Sequence, residues 1–266
     1  MIKIYDENNT FFAELKYDEV FYSNYSKHSH DMLSLTAISK GEINIDFHSC
    51  KSEVLKTNNI AVFNPNQVHI SKNISNLAKG YFVLYLDTNW CIKLQNSIFD
   101  NLNIYYPIKL NLISEYIVYD EFINLCQNIL QNRFTNKDIE LFIEKLFLNY
   151  SKKVIPKDEN KLAYKIKDFI LNSKCIVELE DIVNKFSYSK EHIIRCFKKE
   201  FGLSPHAFII DNKIINVKNQ LNKDENLNLS QLAQNSGFYD QSHFNKNFKK
   251  VFGVSPKTYK TIKYDY

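Results

Sequence analysis

Two sets of side chains in this 266-residue chain have the types and spacing to do chemistry. The first is Lys190, Glu191, Ile194 and Arg195, answered 51 residues later by Gln241, Ser242, Asn245 and Lys246. Each quartet falls on one face of a helix, because residues four apart are neighbours there. Arg or Lys suits guanine, Gln or Asn suits adenine, Glu suits cytosine, and an apolar group suits the thymine methyl, so both quartets can read base edges in a major groove. Lys198, Lys199, Lys249 and Lys250 follow at matching positions, where phosphate is nearer than bases and adds affinity without sequence information. The second set is His28, His30 and His69. Imidazoles in a cluster suit a metal ion or the lining of a small-effector pocket, and the pocket is the reading preferred here; no metal and no cofactor are expected. Asp31 and Glu42 are nearby acids, but no paired carboxylates or activated nucleophile stand with them, so no catalytic residue is assigned.

The elements that must position the first set are written twice. Phe197-Lys198-Lys199-Glu200-Phe201-Gly202-Leu203-Ser204-Pro205 recurs as Phe248-Lys249-Lys250-Val251-Phe252-Gly253-Val254-Ser255-Pro256. In the first copy, Leu179, Ile182 and Val183 give a short helix an apolar face and Phe186-Ser187-Tyr188 makes a turn. Ser189 then caps a helix that sends Ile193, Cys196, Phe197 and Phe201 inward. In the second copy, Leu229, Leu232 and Ala233 precede a turn at Ser236-Gly237-Phe238, where Gly237 can take positive φ. Asp240 then caps a helix with Phe244, Phe248 and Phe252 inward. His192 and His243 share one repeat position and are read as packing groups. The pattern predicts two helix-turn-helix modules, about 179–200 and 229–251. In such modules the N-terminal outward residues of the second helix reach base edges. Between them, 205–221 is one helical pattern. Its span from 206 is roughly 24 Å, enough of a rod to hold two recognition helices in successive major grooves, about 34 Å apart.

The charge follows the same division. Residues 157–266 carry 19 Lys and Arg against 13 Asp and Glu, whereas residues 1–156 carry 15 against 17. A basic half joined to a nearly neutral half fits a nucleic-acid-binding module with a second domain. Ile155-Pro156-Lys157-Asp158-Glu159-Asn160 reads as the linker, giving domains 1–156 and 157–266. Five cysteines, an odd number without a CxxC pair, indicate neither a disulfide framework nor a zinc finger. The start of the chain has no signal-peptide pattern, and no apolar run is long enough to span a membrane. The expectation is a cytoplasmic protein.

In the first half, residues 10–86 read as short strands broken by turns at Gly41 and Asn64-Pro65-Asn66, which suggests a small sandwich or barrel. Helical stripes follow over 114–131 and 136–150, the latter with Asn136 as cap. They suit core packing or self-association. The fold class is therefore α+β with two domains, a small N-terminal β-barrel with flanking helices and an all-α C-terminal domain.

Residues 160–262 resemble the DNA-binding domain of the AraC/XylS family. The second copy carries the resemblance most specifically, through Leu232-Ala233-Gln234-Asn235-Ser236-Gly237-Phe238, Ser242-His243-Phe244 and the run from Phe248 to Lys260. Lys213 and Val217 stand where the family's connector helix usually has Arg and Ala, and Lys260 stands for an Arg. The resemblance implies a regulator, more often an activator, that binds double-stranded promoter DNA and works with RNA polymerase, with Lys213 as a further phosphate contact. His28-Ser29-His30, Gly41 and Pro65-Asn66-Gln67-Val68-His69 resemble the cupin-type sensor domain of many such regulators. Metal-binding cupins usually have a Glu where Ser34 stands. The resemblance is compatible with control by a small effector in the barrel and with a regulator that binds none, and the apolar stripes offer a homodimer surface over about 114–150. The alternatives are a ligand-independent regulator governed by a protein partner, and a metal-dependent cupin enzyme with a DNA-binding tail.

Overall fold

The computed structural model describes residues 2–7, 10–21, 27–48, 52–74, 77–99, 105–151, 161–173, 176–223 and 227–264. The linker expected at 155–160, and with it the 156/157 boundary, lies outside them.

The N-terminal half is built from two antiparallel sheets. One has six strands in the order β1 (Ile2–Glu7), β2 (Thr10–Val20), β8 (Lys79–Leu86), β3 (Leu33–Lys40), β6 (Ile60–Phe63) and β9 (Leu112–Ile113); the other is β5 (Glu53–Lys56), β4 (Glu42–Phe47), β7 (His69–Asn73). Ile43, Ile45, Phe47 and Leu55 of the small sheet share a core with Ile38, Ala61, Phe63, Tyr81 and Val83 of the large one, closing a flattened barrel. The outer face of the large sheet is buried as well. Leu35, Val62, Phe82 and Leu84 pack there beneath helices α1 (Thr88–Ile98), α2 (Tyr116–Leu130) and α3 (Asn136–Tyr150). A sheet covered on both faces needs apolar residues on both, so β8 reads as a continuous apolar run from Tyr81 to Leu86, whereas β3 is buried on both faces but alternates, with Ser34 and Thr36 between its apolar residues. Gly41 turns β3 into β4 at φ +94°, and a Cβ there would stand 2.9 Å from the Ala78 Cα.

Two local expectations are corrected. Helix α1 was not foreseen; Asp87 caps it by accepting from Trp90 N at 2.8 Å. The cap of α3 is Thr135, not Asn136, and the Asp138 carboxylate accepts from the Thr135 N–H at 2.6 Å. The N–H closer to the start of the helix had the reachable carboxylate, and Asn136 became the first helical residue.

The C-terminal half is helical, as the repeat predicts: α4 (Leu162–Asn172), α5 (Leu179–Phe186), α6 (Lys190–Phe201), α7 (Pro205–Lys223), α8 (Leu229–Asn235), α9 (Gln241–Phe252) and α10 (Pro256–Tyr264). Ile166, Ile182, Ile193, Phe197 and Phe208 form the first module's core. Ile214, Val217, Leu232, Phe244, Phe248 and Tyr259 form that of the second. The connector α7 supplies residues to both, so the two modules share one 19-residue rod, about 28 Å long.

The duplicated segment is punctuation. Gly202 and Gly253 end α6 and α9 at φ +76° and +75°, a left-handed cap open to glycine at little cost. Ser204 Oγ then accepts from Ala207 N at 3.2 Å and Ser255 Oγ from Thr258 N at 3.1 Å. Pro205 and Pro256 occupy the first helical positions, where the missing N–H is not needed.

Candidate nucleic-acid interface and its tie to the barrel

Each recognition helix is launched by its own cap. Ser189 Oγ accepts from His192 N at 3.3 Å, and Asp240 Oδ1 accepts from His243 N at 2.6 Å. The turns before them need a left-handed residue, Ser187 (φ +56°) in the first module and Gly237 (φ +71°) in the second. Phe197 and the pair Phe244 and Phe248 are fully buried. Anchoring that inner face turns Lys190, Glu191 and Arg195 of α6, and Gln241, Ser242, Asn245 and Lys246 of α9, to solvent, with Ile194 half-buried. Lys190 also lies 3.4 Å from Glu180, an exposed pair that contributes little. The Arg195 guanidinium lies 3.3 Å from His192 Nδ1.

The lysines behind them divide. Lys198, Lys199 and Lys249 are exposed. Lys250 is half-buried, its Nζ 3.8 Å from Asp211. Lys213 departs from its expected role. It is 9% exposed, pairs with Glu178 at 3.0 Å and donates to the Gly237 carbonyl at 3.4 Å. Its ammonium fastens α7 to the N-cap of α5 and to the turn at Gly237 from inside the domain, so in this conformation it offers phosphate nothing. The sequence placed it on α7 but could not show which face of α7 the modules cover.

The histidines come together, but not around a pocket. His28, His30 and His69 are all buried, with ring centroids 4.4 Å (His28–His69) and 5.3 Å (His30–His69) apart. His69 also packs against Phe63, with ring centroids 4.1 Å apart and the rings tilted by 34°. The free space they and their neighbours line is about 10 Å³, no more than a water site. The expected effector pocket at these residues is therefore filled by the imidazoles themselves. His30 Nδ1 donates to the Met32 carbonyl and His69 Nδ1 to the Gln67 carbonyl, each at 2.9 Å. Burial, and then the neighbouring His28, lowers His30 to about 3. The same two causes, in that order, hold His69 well below its usual value. The rings of His30 and His69 are thus neutral packing groups. Among the described residues no three His, Cys, Asp or Glu side chains are disposed to hold one metal ion.

The barrel and the DNA-binding half are joined by buried polar contacts that sequence reading missed. Glu14 of β2 pairs with Lys218 of α7 at 2.5 Å, and both are at most 3% exposed. The Tyr259 hydroxyl is 3.1 Å from Glu14 Oε2 and 3.0 Å from Asn222 Oδ1. Lys218 Nζ sits 4.9 Å from the Phe252 ring centre and 5.6 Å from that of Tyr85. The Ser29 amide donates to Asp211 of α7 at 3.2 Å. At the first module, His48 Nε2 is 3.2 Å from the Lys199 carbonyl. The signal for the central contact was present: Lys218 follows Ile214, Ile215 and Val217 on a helix whose outer face holds Asn216 and Gln220.

Cavities of useful size lie elsewhere. A cleft of about 400 Å³ runs between α2 and α3, lined by Leu125, Phe134, Leu141 and Phe142 and closed by Glu121 and Lys145. Another of about 210 Å³ separates the two modules beside Lys213.

Two capped helices presenting readable side chains from equivalent positions of a duplicated unit define a double helix-turn-helix DNA-binding protein. A family model of a helix-turn-helix domain matches residues 182–262. The multiple antibiotic resistance protein MarA of Escherichia coli is 34% identical over 89 residues, 34% of this chain and 69% of MarA. The transcriptional regulator MtrA of Neisseria gonorrhoeae is 28% identical over 102 residues, 38% of this chain and 34% of MtrA. The chain belongs to the AraC/XylS family of DNA-binding transcription regulators. Across both domains it shares its fold with the structure of unsaturated-fatty-acid-bound ToxT from Vibrio cholerae, with a TM-score of 0.61 over 98% of this chain and 99% of ToxT at 17% identity. Among the described residues no helix is long and apolar enough to cross a membrane.

Proposed function

We propose that this regulator is an activator that reads a bipartite promoter site, with α6 and α9 in successive major grooves. The observation that supports it best is the matched exposure of the two quartets on helices fixed by one rod. Lys190, Glu191, Ile194 and Arg195 read one element; Gln241, Ser242, Asn245 and Lys246 read the other. Lys198, Lys199, Lys249 and Lys250 hold phosphates, Lys250 on leaving Asp211. Residues 1–156 form the controlling domain and 157–266 the reading domain, and the bound regulator recruits RNA polymerase rather than catalysing a reaction of its own. Self-association through 114–150 is favoured by Leu141 and Leu148, 52% and 57% exposed on α3, beside the α2–α3 cleft. Control by a small effector needs a site other than the histidine cluster. The fatty acid named for ToxT makes an apolar carboxylate the first class to screen.

The test is the variant Arg195→Ala/Lys246→Ala. Each lost base contact is worth about 1–3 kcal/mol, so the pair is expected to abolish promoter preference while circular dichroism stays unchanged. Full promoter preference in a folded double variant overturns the assignment.

A further inference from the structure

Tyr188 and Tyr239 stand at one repeat position, immediately before the caps Ser189 and Asp240 of the two recognition helices. Both are exposed, at 48% and 94%. Tyr239, kept almost wholly in water, contributes no packing to the fold, and the same residue type stands half-exposed 51 residues earlier although the turns around the two differ. The flanking residues are Phe186-Ser187 in one copy and Gly237-Phe238 in the other, and the inward aromatic of the second turn, Phe238, is buried at 7% exposure. In the first module the Tyr188 ring stacks on His192 at 5.0 Å with an interplanar angle of 18°, and His192 Nδ1 in turn lies 3.3 Å from Arg195. Tyr188, His192 and Arg195 therefore form one row on the DNA-facing side of α6. In the second module His243 turns instead to Phe238, at 5.6 Å, which leaves Tyr239 standing clear.

We infer that Tyr188 and Tyr239 are a second pair of DNA contacts, each phenol donating a hydrogen bond to a phosphate oxygen at the rim of the groove its helix enters. This rests on the reading of α6 and α9 given above. The first helical turn reaches base edges, so the residue just before the cap meets the backbone bordering the groove. Tyrosine hydroxyls are among the donors that bind phosphate and set the register of a protein on a duplex. A phenol is neutral at physiological pH and displaces no counterion. It thus adds affinity and orientation without adding to the salt dependence, unlike the lysines behind it.

The discriminating experiment is fluorescence anisotropy of the full chain on a mixed-sequence duplex of about three helical turns, over a range of salt. The variants are Tyr188→Phe/Tyr239→Phe, Lys249→Ala and Arg195→Ala. The tyrosine double variant keeps both rings and is expected to bind about a hundredfold more weakly, about tenfold for each lost bond, with an unchanged slope of log K against log salt, because it loses only hydrogen bonds to charged acceptors. Lys249→Ala is expected to flatten that slope by about one. Wild-type affinity in the tyrosine variant, with Lys249→Ala and Arg195→Ala both weakened, overturns the tyrosine contacts and leaves the recognition helices standing. Wild-type affinity in all three overturns the helix assignment and the tyrosines with it. A weaker tyrosine variant whose slope also falls contradicts the neutral-donor role.

Discussion

Replacing Lys218 by Ala tests how the two halves are held together. The Glu14 carboxylate lies 2.5 Å from the Lys218 ammonium, with both side chains at most 3% exposed, so the substitution strands a buried charge. Removing one partner of a buried pair costs about 3–5 kcal/mol. Loss of the ammonium from beside the Phe252, Tyr85 and Tyr259 rings adds up to about 2 kcal/mol. One escape lowers that figure: the barrel and α7 can separate and let water reach Glu14, which limits the loss to the free energy of docking. Urea unfolding of the full chain, read beside its small-angle scattering, covers both responses. The expected result is a loss of about 4 kcal/mol at unchanged dimensions, or a smaller loss with a larger radius of gyration. The cycle with Glu14→Leu separates the pair from its surroundings. Lys218→Met/Glu14→Leu fills the space with apolar groups and is expected to recover most of the loss, since such replacements are often neutral or stabilising. A Lys218→Ala protein within about 1 kcal/mol of wild type, with unchanged scattering, refutes the reasoning, because a pair in water is worth about that little.

Three further outcomes follow from single residues. Burial raises the Asp211 carboxyl to about 6, against the pull of Lys250 and the Ser29 amide. The folded protein therefore takes up this proton before the unfolded chain does, and the associated stability is full below the usual 3.8 and lost as pH rises through about 6. Asp211→Asn is expected to gain stability relative to wild type between pH 4 and 7 in urea titrations, and a pH-independent difference contradicts this. Gly41→Ala forces a side chain onto φ +94° against the Ala78 backbone and is expected to lose about 2 kcal/mol; unfolding at the wild-type urea midpoint would show the turn relaxes freely. Leu141→Asp/Leu148→Asp changes exposed positions and is expected to leave the melting temperature unchanged while lowering the mass seen by light scattering, and an unaltered oligomer sinks the interface placed at α2 and α3. The buried Phe142, at 7% exposure, is the wrong probe, because an aspartate there attacks the core.

What the sequence revealed follows the range of the interactions. The caps Ser189 and Asp240, the Gly202 and Gly253 stops and the inward phenylalanines act within a turn or two of helix, so residue type and spacing suffice to place both recognition helices. The strands of the barrel were legible as apolar runs and α2 and α3 as apolar stripes, but the third covering helix was not. Helix α1 begins at an aspartate cap amid mixed polar residues, with no clean stripe. Contacts between distant segments were not legible. Tyr259 meets Glu14 across 245 residues, and nothing in either neighbourhood names the other. Lys213 shows the same limit: its place on α7 was clear, yet its face is covered by the α5 cap Glu178 and the turn at Gly237. The histidines were correctly grouped, but spacing along a chain carries no information about the volume left between rings.

In the proposed complex one rod holds two reading helices for two elements of one promoter site. Genomic-fragment capture by the purified full-length chain at moderate salt, followed by sequencing, tests it most directly. The expected result is a few enriched promoters that share two short elements about one helical turn apart, lost in Arg195→Ala/Lys246→Ala. Retained fragments without a common sequence, released uniformly as salt rises, would contradict it, since the basic half would then be holding phosphates alone.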